Sequence, residues 1–144
     1  MTSIPSALLG HMTLEKSENL DEFLSAKGVP WLIKKMIKGK MTTGTRTITE
    51  LPQGKYRMNV TNTPKGDIEY TFVLGETFEG MGPDGKPHKI TFSVSGDRLI
   101  EHHEHIEGSR KGDIDITEYF LENGYVIATM AAKEIVWKRY YKKD

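Results

Sequence analysis

After about residue 45, hydrophobic and polar residues alternate along most of the chain with a period of two, which is the spacing of β-strands. In one such segment Ile68, Tyr70, Phe72 and Leu74 share a face. Short turn sequences rich in glycine, proline, asparagine and aspartate separate the segments. The pattern predicts about ten strands at a spacing of roughly 8–12 residues, which is typical of a β-sandwich or a β-barrel.

The spacing is helical between a short first strand, predicted at residues 11–16, and residue 39. Leu20, Phe23 and Leu24 lie at positions i, i+3 and i+4, so they form one face of a first helix. Ser17 offers a side-chain oxygen as the N-cap of this helix, and acidic residues follow it in the first turn.

A second helix is predicted from Trp31 to about Lys38, because Pro30 suits the beginning of a helix. Its apolar face is expected to contain Val29, Ile33, Met36 and Ile37. Three basic residues lie largely off that face, and a solvated surface is expected for them: Lys34, Lys35 and Lys38.

Sequential strands joined by short turns favour an antiparallel up-and-down arrangement, and closing it into a barrel removes the exposed edges. The predicted fold is therefore all-β: a ten-stranded barrel of two near-orthogonal sheets, capped by a helix-turn-helix lid at about residues 17–39. All 144 residues are expected to form one domain, with residues 1–10 as a loose N-terminal arm. Ten strands enclose more space than their side chains fill, which predicts a ligand cavity.

Composition narrows the possible functions. The 20 basic and 20 acidic residues cancel, so no overall field attracts nucleic acid. There are no cysteines, which excludes disulfides and cysteine-based zinc sites. No hydrophobic run approaches the roughly 20 residues of a membrane span, and the N-terminus lacks a signal-peptide pattern. We expect a cytoplasmic monomer that is not secreted.

The last predicted strand combines apolar and charged residues on one face. Ile135, Trp137, Arg139 and Tyr141 alternate with more polar residues, so this face is expected to point inward. A buried guanidinium needs an anionic partner, because an isolated charge is very costly to remove from water. The alternative is an arginine in solvent at the end of the sheet, with a tyrosine stacked beside it.

Residues 101–105 contain three histidines and two glutamates. On a strand, Glu101, His103 and His105 share one face and His102 and Glu104 the other. Because the segment is polar throughout, an exposed, hydrated strand is expected; if it faced a cavity, it would hold ordered water. A metal-dependent hydrolase is the alternative, but no metal site is predicted. With neither a nucleophile motif nor a phosphate-binding loop, no enzymatic activity is predicted.

Several stretches together resemble the intracellular fatty acid-binding protein family, and its nematode members in particular. They span about residues 8–144 and comprise Gly10, Leu14–Leu24, Gly28-Val29, Phe72–Phe78, Asp84–Lys89 and Arg139-Tyr140-Tyr141. The resemblance implies a ten-stranded barrel capped by two helices. It also implies a protein that carries one or two fatty acids, or similar lipids, without chemistry and without a cofactor.

The resemblance also implies roles for individual residues. Arg139 and Tyr141 match the family's Arg-x-Tyr pair, which grips the lipid carboxylate. A second arginine is usual in the family, but its position falls on Tyr119, which would suit a neutral amide or ester better. The portal phenylalanine position falls on Pro64 or Lys65. Contacts with the lipid tail or its portal are expected from Leu20, Leu24, Val29, Ile33, Ile37, Met58, Tyr70, Phe72, Ala128 and Met130; simple packing is the alternative for the lid residues.

The lysines of the second helix have two further interpretations besides a solvated face. They could contact anionic membranes. In some family members basic lid residues form a nuclear-import signal; Lys34 and Lys35 match it, but Ser25 replaces a third basic residue, with Lys27 nearby. The sequence therefore predicts a carrier of long-chain fatty acids or their amides. The alternative is a lipid-signalling chaperone that moves lipid to the nucleus for a nuclear receptor.

Overall fold

The computed structural model describes residues 2–144, so Met1 lies outside the described residues. Its elements are β1 (Gly10–Glu18), α1 (Leu20–Ala26), α2 (Trp31–Met41), β2 (Thr45–Glu50), β3 (Lys55–Thr63), β4 (Gly66–Val73), β5 (Phe78–Met81), β6 (Pro87–Ser95), β7 (Arg98–His105), β8 (Ile114–Glu122), β9 (Tyr125–Ala132) and β10 (Ile135–Lys143). Short 3-10 turns occur at Ser6–Leu8 and Pro52–Gly54. Within residues 2–144, no helix has the length and apolar character needed to cross a bilayer.

The ten strands are antiparallel and form one sheet in the order β4-β3-β2-β1-β10-β9-β8-β7-β6-β5. Pairing of β1 with β10 brings the two ends of the chain together and curls the sheet into a barrel. Among the described strands, β4 and β5 share no ladder, so closure is nearly complete. Tyr70 bridges this gap by donating its hydroxyl to the Met81 carbonyl oxygen at 2.5 Å. The predicted ten-stranded antiparallel barrel with two helices is confirmed.

The barrel core consists of inward residues from nearly every strand. Phe72 of β4 and Phe92 of β6 stack with ring centroids 3.9 Å apart, so their side chains meet across the β4–β5 gap. Burial alternates along β4 and β6 as the period of two predicts. The core therefore follows directly from the sequence pattern.

The lid begins later than the sequence suggests. Ser17 lies in β1, opposite Arg139 of β10, and the N-cap position of α1 belongs to Asn19 in the left-handed conformation. Ser17 therefore takes part in the β1–β10 ladder, with a nine-residue β10, and does not cap the helix as its local sequence suggests. Helix α1 packs on β10, where Phe23 and Trp137 have ring centroids 5.4 Å apart.

Helix α2 runs to Met41 rather than Lys38. Ile37 faces the cavity and Lys35 faces solvent as predicted, but the predicted orientation is wrong for three other residues. Ile33 and Met36 are 42% and 71% exposed, whereas Lys34 is only 9% exposed. Ile37 and Met41 line the cavity, and Lys34 on the same helix is buried because its ammonium group reaches Ser25 and Asp21 of α1.

Residues 2–10 are not the predicted loose arm. Ile4 and Leu8 are buried and belong to the barrel core cluster. The Ile4 backbone amide also donates to the Tyr56 hydroxyl at 3.2 Å. Two apolar side chains therefore tie this segment to the barrel, because a wide barrel leaves apolar surface for them to cover.

Candidate functional site

A cavity of about 370 Å³ lies between the helical lid and the barrel interior. Its volume falls within the ~300–1,000 Å³ range of small-molecule sites. Apolar side chains from both layers form most of its wall: Leu14, Phe23, Leu24, Val29, Ile37, Met41, Val60, Met130 and Trp137. Charged and polar side chains from β2, β3, β6, β7, β8 and β10 also line the cavity, so its wall is chemically mixed.

Strand β10 delivers Arg139 and Tyr141 to this cavity. Both are buried, at 5% and 4% exposure, in agreement with the alternation predicted for this strand. The Arg139 guanidinium carbon lies 4.1 Å from the centroid of the Trp137 ring. Two of its nitrogens, Nε and Nη2, have no hydrogen-bond partner among residues 2–144. A buried cation thus keeps two donors for another group.

A second, largely buried arginine comes from β2, on the opposite side of β1; its side chain is 13% exposed. Arg46 donates from Nη1 to the Tyr119 hydroxyl at 2.8 Å and from Nε to the Tyr141 hydroxyl at 3.1 Å. The same Nη1 lies 3.8 Å from a carboxylate oxygen of Glu101. The position of the family's second arginine falls on Tyr119, so that arginine was expected to be missing; β2 supplies a second guanidinium instead, through Arg46.

Arg46 is the functional residue that sequence reasoning missed. The signal was present, because Arg46 shares the parity of Ile48, which is buried on the same strand. The parity indicates an inward side chain but does not reveal what it meets. Contact with Tyr119 and Tyr141 depends on the barrel closing through β1 and β10.

Glu101 is buried at 6% exposure and accepts hydrogen bonds from two sides. The Tyr119 hydroxyl donates to one of its oxygens at 2.5 Å, and the Nε2 of His103 lies 2.5 Å from the other. Burial raises the pKa of this carboxyl, but His103, Arg46 and the Tyr119 hydrogen bond outweigh it and hold the pKa at about 2. Glu101 is therefore ionised at neutral pH, and the Tyr119 hydrogen is already committed to it.

Both tyrosine hydroxyls accept a hydrogen bond from Arg46, but only Tyr119 also donates one to a carboxylate. The hydroxyl hydrogen of Tyr141 is therefore not used by Glu101. Burial raises the pKa of Tyr141, yet the positive charges of Arg46 and Arg139 outweigh it, and the net shift is downward. Its hydroxyl is thus a good donor that faces the cavity beside Arg139.

The histidine strand is not the exposed strand that its polarity predicts. Glu101, His103 and His105 are all buried on the inward face of β7. His103 Nδ1 lies 2.8 Å from Nδ1 of His88, which β6 contributes directly opposite His105. A polar segment faces inward here because neighbouring strands supply partners: Tyr119 for Glu101, His88 for His103 and Asp115 for His105.

The rim of this polar cluster is connected to the lid. His105 Nε2 lies 2.7 Å from Asp115 Oδ2, and Lys27 donates to Asp115 Oδ1 at 2.5 Å. Burial raises the pKa of Asp115, but the hydrogen bonds from Lys27 and His105 outweigh it, giving about 2. Burial lowers the pKa of His88, although Asp84 opposes the shift. Lys27 thereby ties the end of α1 to β8.

The cavity brings together only some of the predicted tail and portal residues. Those that line it are Leu24, Val29, Ile37 and Met130, together with Pro64 and Lys65 at the predicted portal position. Leu20 belongs to the apolar cluster between α1 and the barrel, and Met58, Tyr70, Phe72 and Ala128 belong to the barrel core. Ile33 lies on the outer surface of α2. Their contact with a ligand stays a prediction.

The three lid lysines differ from one another. Lys34 is buried and donates to Ser25 Oγ at 2.8 Å, which connects α2 to α1. Lys38 pairs with Asp21 at 3.1 Å, and Lys34 lies 3.4 Å from the same carboxylate; the Lys38 hydrogen bond and the charges of both lysines lower the Asp21 pKa. Lys35 lies 4.4 Å from the Trp31 ring centroid. A nuclear-import signal and a nuclear-receptor partner stay predictions.

The chain is similar over nearly its full length to named proteins. It is 36% identical over 143 residues to fatty acid-binding protein homolog 3 of Caenorhabditis elegans, covering 99% of this chain and 86% of that protein. Homolog 4 of the same species is 34% identical over 145 residues, covering 98% and 97%. No protein-family model matches the chain.

Solved structures agree with these relatives. As-p18, described as an extracellular fatty acid binding protein, superposes with a TM-score of 0.88 at 30% identity, covering 99% of this chain and all of that one. Fatty-acid-binding protein 1 of Echinococcus granulosus has a TM-score of 0.78 at 28% identity, covering 96% and 98%. A cytoplasmic location stays a prediction, and the description of As-p18 as extracellular does not favour it.

The fold and the sequence relatives indicate the same protein family. Ten antiparallel strands form a nearly closed barrel under two helices, and a cavity with apolar walls contains a buried arginine–tyrosine pair. Relatives at 34% and 36% identity over nearly the whole chain have the same family name. The chain belongs to the fatty acid-binding protein family.

Proposed function

We propose that this protein carries long-chain fatty acids in the cavity under its lid, with the lipid carboxylate held by Arg139 and Tyr141. The observation that supports this most directly is the charge around the two arginines. Arg46 has the Glu101 carboxylate 3.8 Å away, whereas Arg139 has no carboxylate at ion-pair distance among residues 2–144. A lipid carboxylate would supply the counter-charge that a buried guanidinium requires.

The geometry of the free donors fits a carboxylate. The Nε–H and an Nη2–H of a guanidinium point in the same direction and form a fork that matches two carboxylate oxygens. These are the two Arg139 nitrogens without a partner in residues 2–144. Tyr141 adds a third donor, because its oxygen already accepts from Arg46 and its own hydrogen remains available.

The apolar wall accounts for the lipid tail. Each methylene buried from water contributes about 0.8 kcal/mol, so a long acyl chain offers on the order of 10 kcal/mol before the costs of association. The polar contacts then determine the orientation of the lipid and the choice of headgroup. Met41 and Met130 in the wall suit a flexible chain, because their side chains adapt their shape.

The same network favours a carboxylate over a neutral amide. Tyr119 occupies the position where the family usually has a second arginine. Arg46 nevertheless brings a second positive charge next to the Tyr141 hydroxyl. A neutral headgroup would leave Arg139 buried without a counter-charge. Fatty-acid amides are therefore expected to bind more weakly than free fatty acids of the same chain length.

The test compares oleic acid with oleamide on delipidated protein by isothermal titration calorimetry. Charge-assisted hydrogen bonds contribute about 1.5–3 kcal/mol, so Arg139→Met should weaken oleic acid binding by roughly 10–100-fold. Oleamide binding should weaken by less than about threefold, because the lost charge interaction is absent there. The matched control is Arg57→Met, which removes a partly exposed arginine of β3 and should leave both ligands unaffected.

Equal losses for the acid and the amide would contradict the headgroup assignment. Failure of the unmodified protein to bind either ligand would contradict lipid carriage itself. Mass spectrometry of lipid extracted from the purified protein provides a readout that needs no chosen ligand. Free fatty acids should be the main class recovered.

A second candidate function, docking to anionic membranes, is favoured by the outer surface of α2. Trp31, Leu32 and Met36 are 65%, 63% and 71% exposed, and Ile33 also faces outward. Lys35 and Lys40 are exposed on the same helix. Apolar side chains surrounded by lysines are typical of helices that bind at the surface of anionic bilayers.

This function is tested by the rate of fatty-acid transfer to vesicles of phosphatidylcholine with and without phosphatidylserine. Anionic lipid should accelerate transfer from the unmodified protein, and the rate should rise with vesicle concentration. Trp31→Ser with Met36→Ser should abolish the acceleration. Leu121→Ser, an equally conspicuous exposed apolar residue on β8, is the control; a rate independent of vesicle concentration would contradict docking.

A further inference from the structure

Three side chains with metal-ligating atoms converge on the wall of the cavity near the β5–β6 turn. His88 of β6 and His105 of β7 are direct partners in the antiparallel ladder, and their ring centroids are 4.1 Å apart. Asp84 lies in the turn before β6, where its carboxylate also accepts the backbone amide of Lys86 at 3.0 Å. All three residues line the cavity.

The distances between the ligating atoms match a small cation. His88 Nε2 lies 3.0 Å from Asp84 Oδ1, and His105 Nδ1 lies 3.6 Å from Asp84 Oδ2. The three ligating atoms all lie within 4.8 Å of one another. In a tetrahedral site with bonds of about 2.0–2.1 Å, ligand atoms are roughly 3.3 Å apart, and the distances of 3.0 and 3.6 Å lie on either side of that value.

The remaining ring nitrogens are held by other groups. His105 Nε2 is 2.7 Å from Asp115, so its hydrogen belongs on Nε2 and the lone pair of Nδ1 faces Asp84. His103 Nε2 lies 2.5 Å from Glu101, and its Nδ1 lies 2.8 Å from His88 Nδ1. His88 Nε2 therefore remains for Asp84, whose Oδ1 lies at hydrogen-bond distance from it. Histidine ligands of metals are oriented by this kind of contact at the second nitrogen.

His88 Nε2 and His105 Nδ1 thus face the two oxygens of one carboxylate at 3.0 and 3.6 Å. When both imidazoles are neutral, with their hydrogens on the opposite nitrogens, these atoms can ligate a cation placed between them and the carboxylate. Both histidines are buried. The backbone also leaves room for this arrangement: a Cβ on Gly82 would lie 2.1 Å from Cε1 of His88.

We propose that Asp84, His88 and His105 bind a divalent transition-metal ion, with Zn²⁺ as the best fit, and that the fourth coordination position faces the cavity. Two imidazoles and one carboxylate are a donor set that zinc accepts with one open position. The wall of the cavity would then contain a cationic group separate from Arg139. The proposal does not depend on which lipid the cavity binds.

The test titrates Zn²⁺ into chelator-treated protein in competition with a fluorescent zinc chelator. The unmodified protein should bind one equivalent. His105→Gln removes a ligand and should weaken binding at least about 100-fold, because even partners behind the ligands change metal affinity 10–100-fold. His102→Gln lies on the same strand but on its other face, so it should bind zinc as the unmodified protein does.

A second variant and a spectroscopic readout cover the case in which His105→Gln does not fold. Asp84→Asn changes a partly exposed turn residue, keeps the amide contact, and should weaken zinc binding at least about tenfold. In long-range ¹⁵N–¹H spectra of the unmodified protein, Zn²⁺ should shift His88 Nε2 and His105 Nδ1 but not the ring of His11. Absence of a one-equivalent site, equal affinity in all variants, or shifts confined to His11 would overturn the proposal.

Discussion

Removing one partner of the buried Arg46–Glu101 pair should destabilise the barrel far more than removing an exposed pair of similar geometry. Arg46→Met keeps most of the side-chain volume but leaves Glu101 with only His103 and Tyr119 as partners. Glu101→Gln removes the negative charge and leaves Arg46 between two tyrosine hydroxyls. The exposed comparison is Arg57–Glu69, whose charged atoms are 3.9 Å apart.

The magnitude follows from distance and surroundings. At 3.8 Å and an effective dielectric constant of 20, two unit charges interact with about 4 kcal/mol. Breaking a buried pair from one side costs about 3–5 kcal/mol, because the remaining charge is left uncompensated. At 3.9 Å in an environment close to water the same formula gives about 1 kcal/mol, and exposed pairs contribute about 0–1 kcal/mol.

The assay is a double-mutant cycle measured by urea unfolding at pH 7. Arg46→Met and Glu101→Gln should each lower the free energy of unfolding by about 3 kcal/mol, and the double variant by clearly less than their sum, with a coupling of about 2–3 kcal/mol. The cycle on Arg57 and Glu69 should give less than about 1 kcal/mol. Additivity within about 0.5 kcal/mol at the buried pair would refute the assignment of Glu101 as the counter-charge of Arg46.

Three further outcomes are expected. The pKa of Glu101 is about 2 in the folded protein against an ordinary 4.5, so its ionisation stabilises the fold above pH 4.5. On the order of 3 kcal/mol of this stabilisation should be lost as the pH falls toward 2. Between pH 7 and pH 3 the free energy of unfolding should therefore fall less for Glu101→Gln than for the unmodified protein. Phe92→Ala should lower the free energy of unfolding by about 3–5 kcal/mol, because the ring is fully buried against Phe72; a loss below 1 kcal/mol by urea titration would show that the stack does not form. Lys27→Met should speed hydrogen exchange of α1 amides but not of β9 amides, since its contact with Asp115 ties the lid to the barrel; unchanged exchange would mean that packing alone holds the lid.

The elements were largely predictable because each depends on nearby residues. A period of two predicts a strand and its inward face, and this pattern was sufficient to predict that Trp137, Arg139 and Tyr141 of β10 are buried. Local reasoning failed where a distant partner intervened. Ser17 is a good helix cap by itself, but β10 pairs with it; Lys34 is a typical exposed lysine, but α1 presents Ser25 and Asp21 to it.

In the candidate site, too, some residues were predictable from their own strand and others depended on distant partners. Arg139 and Tyr141 could be identified from one strand, because both lie on its apolar face. Residues 101–105 were expected in solvent, because the segment is polar throughout and the sequence does not show which residues outside it would hold these side chains. Their partners come from elsewhere: Tyr119 from β8 and His88 from β6. A polar segment can be buried when other strands supply its hydrogen-bond partners, and the sequence of the segment alone does not show whether they do.

The sequence by itself thus determined the number of strands, the two-helix lid and the inward face of the last strand, since alternation and spacing are properties of a single segment. Only the tertiary structure decided which charges meet inside the barrel. Arg46 and Glu101 lie on β2 and β7, 55 positions apart, and they meet because β1 pairs with β10 and curls the sheet upon itself. Electrostatic energy depends on distance in space, and closure of the barrel sets that distance.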